Sequence, residues 1–267
     1  DASINSVKIG RGNGGQSGNT AMGTQALNAN SVGDFNTAIG YQALKSNSTG
    51  GLNTANGYQA LLSNTVGTLN TAVGSFSLAA NTIGNSNNAL GEYALGGNTN
   101  GSSNNAIGNN AAQANTTGSS NTAIGDNALN TNTTGSNNTA IGAGANVSVV
   151  NLNNATAIGA NAIVSASNAL VLGNNANIGI GTSAPASKLE VVGTIKTTGL
   201  QMTTGAANGS ILKSDANGIA SWVSLTSIET DPQVISAASN KVAKWNGTAL
   251  ADGTIYDDGT NIGIGTT

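Results

Sequence analysis

The sequence predicts an all-β chain folded as a parallel β-solenoid, and three observations carry that reading. Nine glycines, Gly23, Gly40, Gly57, Gly74, Gly91, Gly108, Gly125, Gly142 and Gly159, succeed one another at a constant spacing of i to i+17. A common pattern, Asn-Thr-Ala-Ile-Gly-x-x-Ala-Leu-x-x-Asn-Thr-x-Gly, surrounds these nodes. Within it Asn, Ala and Ile keep fixed places from Asn19 to Gly159. A strict period of this length marks an architecture in which every repeat forms one coil and stacks on its neighbours. Composition alone would point elsewhere. With 7% charged and 3% aromatic residues and 38 glycines among 267, the chain has the profile of low-complexity disorder. Disorder, however, has no use for a register.

Residues 1–15 form an opening cassette around the strand-like Val7-Lys8-Ile9-Gly10, and the solenoid is expected over 16–176. Four residues before each node stand Asn36, Asn53, Asn70, Asn121 and their equivalents. Two before it is Ala38 and its copies, and immediately before it come Met22, Ile39, Asn56, Val73, Leu90, Ile107, Ile124, Ile141 and Ile158. Alternation along a strand puts Thr37 and Ile39 on one face and Asn36 and Ala38 on the other. Stacking then lays like on like, giving an Ile/Val column and an Asn column as the structural ladder, with an Ala column beside them. After the node, Ala26-Leu27, Ala43-Leu44, Ala60-Leu61 and their copies read as a second short strand with its own apolar ladder. Corners such as Asn47-Ser48-Thr49-Gly50 and Asn115-Thr116-Thr117-Gly118 place Asn first and Gly fourth, the chemistry of a type I turn. Nine such coils at about 4.8 Å per layer stack to roughly 40 Å.

Two short strands lined with Ala enclose little core, so the Ile, Val and Leu columns require a further surface to cover them. Symmetric association along the solenoid axis supplies one.

The string Asn36-Thr37-Ala38-Ile39-Gly40-Tyr41-Gln42-Ala43-Leu44, with its copies at Asn121 and Asn138, resembles the repeats of YadA-like head domains of trimeric adhesins, which also occur in phage tail-fibre proteins. The resemblance covers about residues 16–176. It implies left-handed β-roll coils, a homotrimer and a role in adhesion. The spacing departs from the family, whose repeats typically recur at about i+14; here only the step from Gly159 to Gly173 is that short. The three extra residues are expected to enlarge one turn and leave the strands alone.

Residues 177–260 read as a small β-rich module. Asn177-Ile178-Gly179-Ile180-Gly181 leads into the strand-like Lys188-Leu189-Glu190-Val191-Val192, and its copy, Asn261-Ile262-Gly263-Ile264-Gly265, opens a further cassette over 261–267. These cassettes resemble junctions between fibre modules. With Asp1 at one end and Thr267 at the other, the chain is expected to be a processed product or a piece of a longer fibre, with modules before and after. Between them, Ser210-Ile211-Leu212-Lys213, Ile219 to Val223, Lys241 to Trp245 and Thr254-Ile255-Tyr256 alternate in short runs separated by Gly, Asn and Asp turns. Trp222 and Trp245 are expected to anchor this module's core.

The chemistry that the composition excludes is extensive. Cys and His are both absent, which removes disulfides, thiolate and imidazole metal sites and every nucleophile activated by a His base. Lys45 is the only cation between Gly12 and Gly181 and the formal net charge is −3, so no basic stripe exists for nucleic acid. No apolar run is long enough for a membrane span. Asp34, Glu92 and Asp126 are solitary and fall at different places of the repeat, and Asp257-Asp258 sits in a turn-like string. No catalytic, metal or cofactor residues are therefore assigned. The expectation is a non-enzymatic, extracellular, homotrimeric fibre segment on a virion tail or a bacterial surface, supporting attachment to a glycan or protein receptor. Candidate surface contacts are Tyr41, Tyr58 and Tyr93 in the variable turns after the nodes, and the irregular stretch Asn146 to Asn154. Two alternatives stand beside it: an ice-binding solenoid using the Thr column (Thr20, Thr37, Thr54, Thr71, Thr122, Thr139, Thr156), and a trimeric glycan-degrading tailspike with an acid pair between subunits.

Overall fold

A computed structural model describes residues 2–4, 7–224, 241–245, 250–257 and 262–264, with side chains described in the first two stretches and at residue 255. Two compact units divide the chain, residues 1–194 and 195–267. The described residues are all-β, without a helix.

The first unit is the parallel β-solenoid. Each coil contributes a three-residue strand ending just before its node: β3 (Thr20–Met22), β4 (Thr37–Ile39), β5 (Thr54–Asn56), β6 (Thr71–Val73), β7 (Asn88–Leu90), β8 (Asn105–Ile107), β9 (Thr122–Ile124), β10 (Thr139–Ile141), β12 (Thr156–Ile158) and β14 (Leu170–Leu172). They form one sheet in that order, every neighbouring pair parallel and each residue opposite its equivalent in the next repeat, as in Ala106 opposite Ala123 and Ile107 opposite Ile124. At the start of the sheet, β1 (Ala2–Ile4) and β2 (Val7–Gly10) make an antiparallel hairpin, and β2 lies antiparallel on β3.

The second strand expected in each coil is not there. After the node the chain runs through tight turns in which two alternate residues are left-handed, Gln42 and Leu44 in one coil (φ 58° and 50°), Tyr93 and Leu95 in another (φ 54° and 51°). The backbone bonds explain why. The N–H of Ala43 turns back to its own coil at Gly40 C=O, while that of Leu44 reaches the next coil at Ala60 C=O, 3.0 Å away. A strand would send its donors alternately to neighbours on either side; here they alternate between the coil itself and a neighbour. Only in the last two full coils does this side straighten, as β11 (Asn146–Val147) paired parallel to β13 (Ile163–Val164).

The Leu column is likewise not an outer surface. Leu27, Leu44, Leu61, Leu78, Leu95 and Leu129 are buried completely or nearly so, packed with the Ala columns into one continuous core. The left-handed backbone turns these side chains inward, and burying one Leu is worth about 1.5–3 kcal/mol against about 1–2 kcal/mol for the left-handed conformation.

The Asn residues complete the interior as two ladders. Asn53 N–H donates to Oδ1 of Asn36 in the coil before (3.0 Å), and its Nδ2 donates to the Gly67 carbonyl in the coil after (2.9 Å). The corner residues, read from sequence only as turn formers, are buried too. Asn64 Nδ2 donates to Asn47 Oδ1 below it (2.8 Å) and to Gly67 C=O three residues ahead (3.0 Å), so one amide closes the corner and joins two coils.

Both glycine columns follow from this stacking. At the node, Gly74 has φ +131°, and a Cβ there would lie 2.5 Å from the Gly91 carbonyl oxygen of the next coil. At the corner, a Cβ on Gly101 would lie 2.2 Å from Gly118 O. No side chain fits either place.

The change of period has a definite location. Val147 still pairs with Val164, its counterpart one full repeat on. Asn154 Nδ2, in contrast, bonds Asn168 Oδ1 at i+14 (2.9 Å), so three residues are missing between Val164 and Asn168. Both ladders stop here. Ala155 replaces the inner Asn, its N–H taken by Asn138 Oδ1 at 2.9 Å, and the corner ladder ends at Asn132. In the irregular stretch Asn146 to Asn154, Val147 and Leu152 are buried while Val149 and Val150 face outward.

Beyond the solenoid, β15 (Ile178–Ile180) and β16 (Leu189–Val191) form a parallel pair within the first unit. In the second unit β17 (Ser210–Ser214) and β18 (Ala220–Ser224) make an antiparallel hairpin around the turn at Asp215, whose Oδ1 accepts the N–H groups of Asn217 and Ile219 at 2.8 Å each. The half-buried Trp222 donates its indole N–H to Met202 C=O (2.8 Å). Trp245 falls in β19 (Lys241–Trp245), and its side chain lies outside the described residues. With β20 (Leu250–Asp257) and β21 (Ile262–Ile264), β19 forms a three-stranded antiparallel sheet.

Candidate functional site

The candidate residues fall on two outer surfaces of the solenoid and in its interior. The first is the outward face of the main sheet. Alternation aims Ala38 and its copies into the core and sends Thr and Ile out, so Ile39 and Val73 are half-buried and Leu90, Ile107, Ile124, Ile141 and Ile158 exposed. Leu90 retains 50% of its surface, Ile107 45% and Ile124 38%. The half of the expected ladder that is Asn (Asn36, Asn53, Asn70, Asn121) is therefore interior, and the half that is Ile and Val is an outer apolar column. Asn56 is its one polar member, and Thr71, Val73, Asn88, Leu90 and Ile107 line a shallow groove on it.

The second surface is an aromatic column on the turns after the nodes. Tyr41 and Tyr58 stack with ring centroids 5.4 Å apart and planes 11° from parallel. Phe76 continues the column edge-on to Tyr58 at 5.2 Å, and Tyr93 stacks on Phe76 at 4.8 Å and 8°. Phe76 and Tyr93 occupy the place one residue later in the repeat than Tyr41 and Tyr58, so sequence columns alone did not join the four. Beside them Gln25, Gln42 and Gln59 form an amide ladder with 2.7 Å steps. The column is thus two stacked pairs, Tyr41 with Tyr58 and Phe76 with Tyr93, that meet edge to face between Tyr58 and Phe76.

The acidic residues serve the backbone. Asp34 Oδ1 accepts the N–H groups of Gly18 (3.0 Å) and Phe35 (2.8 Å), and Asp126 Oδ1 that of Asn109 (3.1 Å). At the same place of the repeat as Asp34, beyond Gly51 and Thr68, the side-chain oxygens of Asn85, Ser102, Ser119, Ser136 and Asn153 form an outer corner column that accepts backbone N–H groups from the preceding coil. Among the described residues no three His, Cys, Asp or Glu side chains gather as a metal site, and no helix is long and apolar enough to cross a membrane. No protein-family model matches the chain, and no curated protein matches it.

Proposed function

We propose that this chain is a non-enzymatic segment of an extracellular homotrimeric fibre, on a virus tail or a bacterial surface, that holds an adhesive part at a distance or adheres weakly along its length. The observation that carries the reading is the outer apolar column, which a single chain leaves in water from Leu90 to Ile158. A contiguous stripe of this kind is normally covered by a partner, and from Leu90 to Ile158 the parallel stack offers its partner an exposed aliphatic side chain at every level. The interior, built from Asn ladders and small side chains, supplies rigidity without titratable groups or a cleft. Three parallel copies would multiply weak contacts through effective concentration.

Light scattering on the intact chain tests the assembly: the expected mass is three times 25.9 kDa, and a stable folded monomer would sink the proposal. The outward Thr column keeps an ice-binding reading in view. The side chains that share its face, however, change from Met22 to Asn56 to Leu90, and Asn88 and Asn105 interrupt it. An ice lattice requires a uniform array, and an absence of thermal hysteresis is the expected result.

A further inference from the structure

The string Asn-Ile-Gly-Ile-Gly occurs at 177–181 and at 261–265, and the structure uses its two copies differently. In the first, β15 runs parallel to β16, with Ile178 opposite Leu189. In the second, β21 is the returning arm of an antiparallel hairpin with β20, pairing Ile264 with Ile255, Gly263 with Tyr256 and Ile262 with Asp257. The hairpin that opens the solenoid likewise pairs three residues of each strand antiparallel, with two residues between the strands in place of four: Ile9 pairs with Ala2, Lys8 with Ser3 and Val7 with Ile4. Matching the registers sets Ile264 at the place of Ile9, Gly263 at that of Lys8 and Ile262 at that of Val7. In sequence, Gly265 then falls at the place of Gly10.

The outer edge of β2 is occupied. Ile9 stands opposite Met22 and Gly10 opposite Ala21, and the node glycine Gly23 donates its N–H to Lys8 C=O at 2.9 Å. Through this edge a hairpin satisfies the first coil's backbone groups, which a parallel stack would otherwise leave as a bare row. β21 has the equivalent edge. It stands last in its three-stranded sheet, and among the described residues it pairs only with β20.

We propose that the β20–β21 hairpin is a second solenoid starter, whose outer edge takes in antiparallel register the opening strand of a parallel β-solenoid coil of this chain's own Thr-Ala-apolar kind. The coil's node glycine donates to Gly263 C=O as Gly23 does to Lys8. The cassette that contains β21 then acts as the element on which a stack is laid, and not as a passive spacer. This inference is independent of the homotrimer reading, because it concerns pairing within one chain's sheet.

A hairpin exchange in the full chain tests it. Residues 1–10 are replaced by residues 250–265, and the comparison chains either lack residues 1–10 or carry residues 210–224, the unrelated β17–β18 hairpin, in their place. Amide exchange at Gly23 reads the seating of the hairpin, and thermal unfolding followed by circular dichroism reads its effect on the stack. Deletion is expected to speed Gly23 exchange by about tenfold or more and lower the melting temperature, the exchanged hairpin to restore both, and the unrelated hairpin to restore neither. The proposal is overturned if the exchanged chain behaves like the deletion, if the unrelated hairpin restores the parent values equally, or if deletion leaves Gly23 exchange unchanged.

Discussion

At the scale of single residues, the coil depends on side chains held where they are rarely found. Leucines in the left-handed region, at φ 48° to 53° from Leu27 to Leu129, are the least expected of them. Two places before each of these leucines the same conformation leaves a trace in the sequence, since Asn110, Asn127, Asn161 and Gly144 share that column with Gln, Phe and Tyr. Asn and Gly are the residues that accept it most readily. At the Leu position there is no trace. Ala-Leu reads as strand, because the burial that compensates the backbone strain is a property of the assembled coil. Leu61→Ala is expected to destabilise the solenoid by about 2–5 kcal/mol, toward the lower end because Ala112 already occupies the column once. Denaturant unfolding checks it. Gly74→Ala is expected to cost at least as much, since the added methyl would strike a backbone oxygen that has nowhere to go; melting at the parent temperature would contradict the stacking described.

At the scale of elements, three residues of strand per coil are too few to hold a sheet by themselves, and the Asn columns make up the difference. The inner column was legible because it recurs four places before each node. The burial of the corner column was not, because Asn first and Gly fourth already had a sufficient explanation in a turn. The outer column from Asn85 to Asn153 was invisible for another reason: Asn and Ser fill it interchangeably, since any side-chain oxygen within reach accepts the bond. Asn70→Ala tests the inner ladder. It leaves the buried Asn87 N–H without the Oδ1 it now meets at 3.0 Å and removes the same acceptor from Asn87 Nδ2 (3.1 Å), which keeps Gly101 C=O, while Gly84 C=O keeps its bond from Asn81. The expected loss is at least about 1–3 kcal/mol, the cost of the stranded backbone donor alone, with faster amide exchange concentrated at Asn87 and its neighbours in the stack.

At the scale of the whole molecule, the even spacing of the node glycines made the architecture legible in the sequence, while the direction of the apolar columns required coordinates. Ile124 and Leu129 read alike, each as a member of a recurring apolar column. The structure separates them, Ile124 on the outer face with 38% of its surface free and Leu129 in the core with 1%. Two substitutions therefore part company. Leu129→Asp is expected to unfold the adjoining coils, since it buries an unpaired carboxylate. Ile124→Asp is expected to leave the coils folded, as Asn56 is already carried in that column, and to weaken only the association proposed above. Circular dichroism together with light scattering distinguishes the two outcomes. If Ile124→Asp lowers neither mass nor stability, the outer column is not a subunit contact.

The halt of both Asn ladders at Asn132 and Asn138 gives the solenoid a weak end under load. Its inter-coil bonds lie along the stacking direction, so tension on the chain beyond Leu172 strips them one coil at a time, and the coil it meets first is the short one without either amide column. Rupture should begin there at low force with a gain of about 45 Å, and steps of about 55 Å should follow as each longer coil unwinds, at roughly 3.5 Å per residue released less one layer of about 4.8 Å. The first step at higher force marks where the paired amides begin. A tether built this way yields from one end and lengthens by set increments, keeping the rest of its stack intact while the load is shared out.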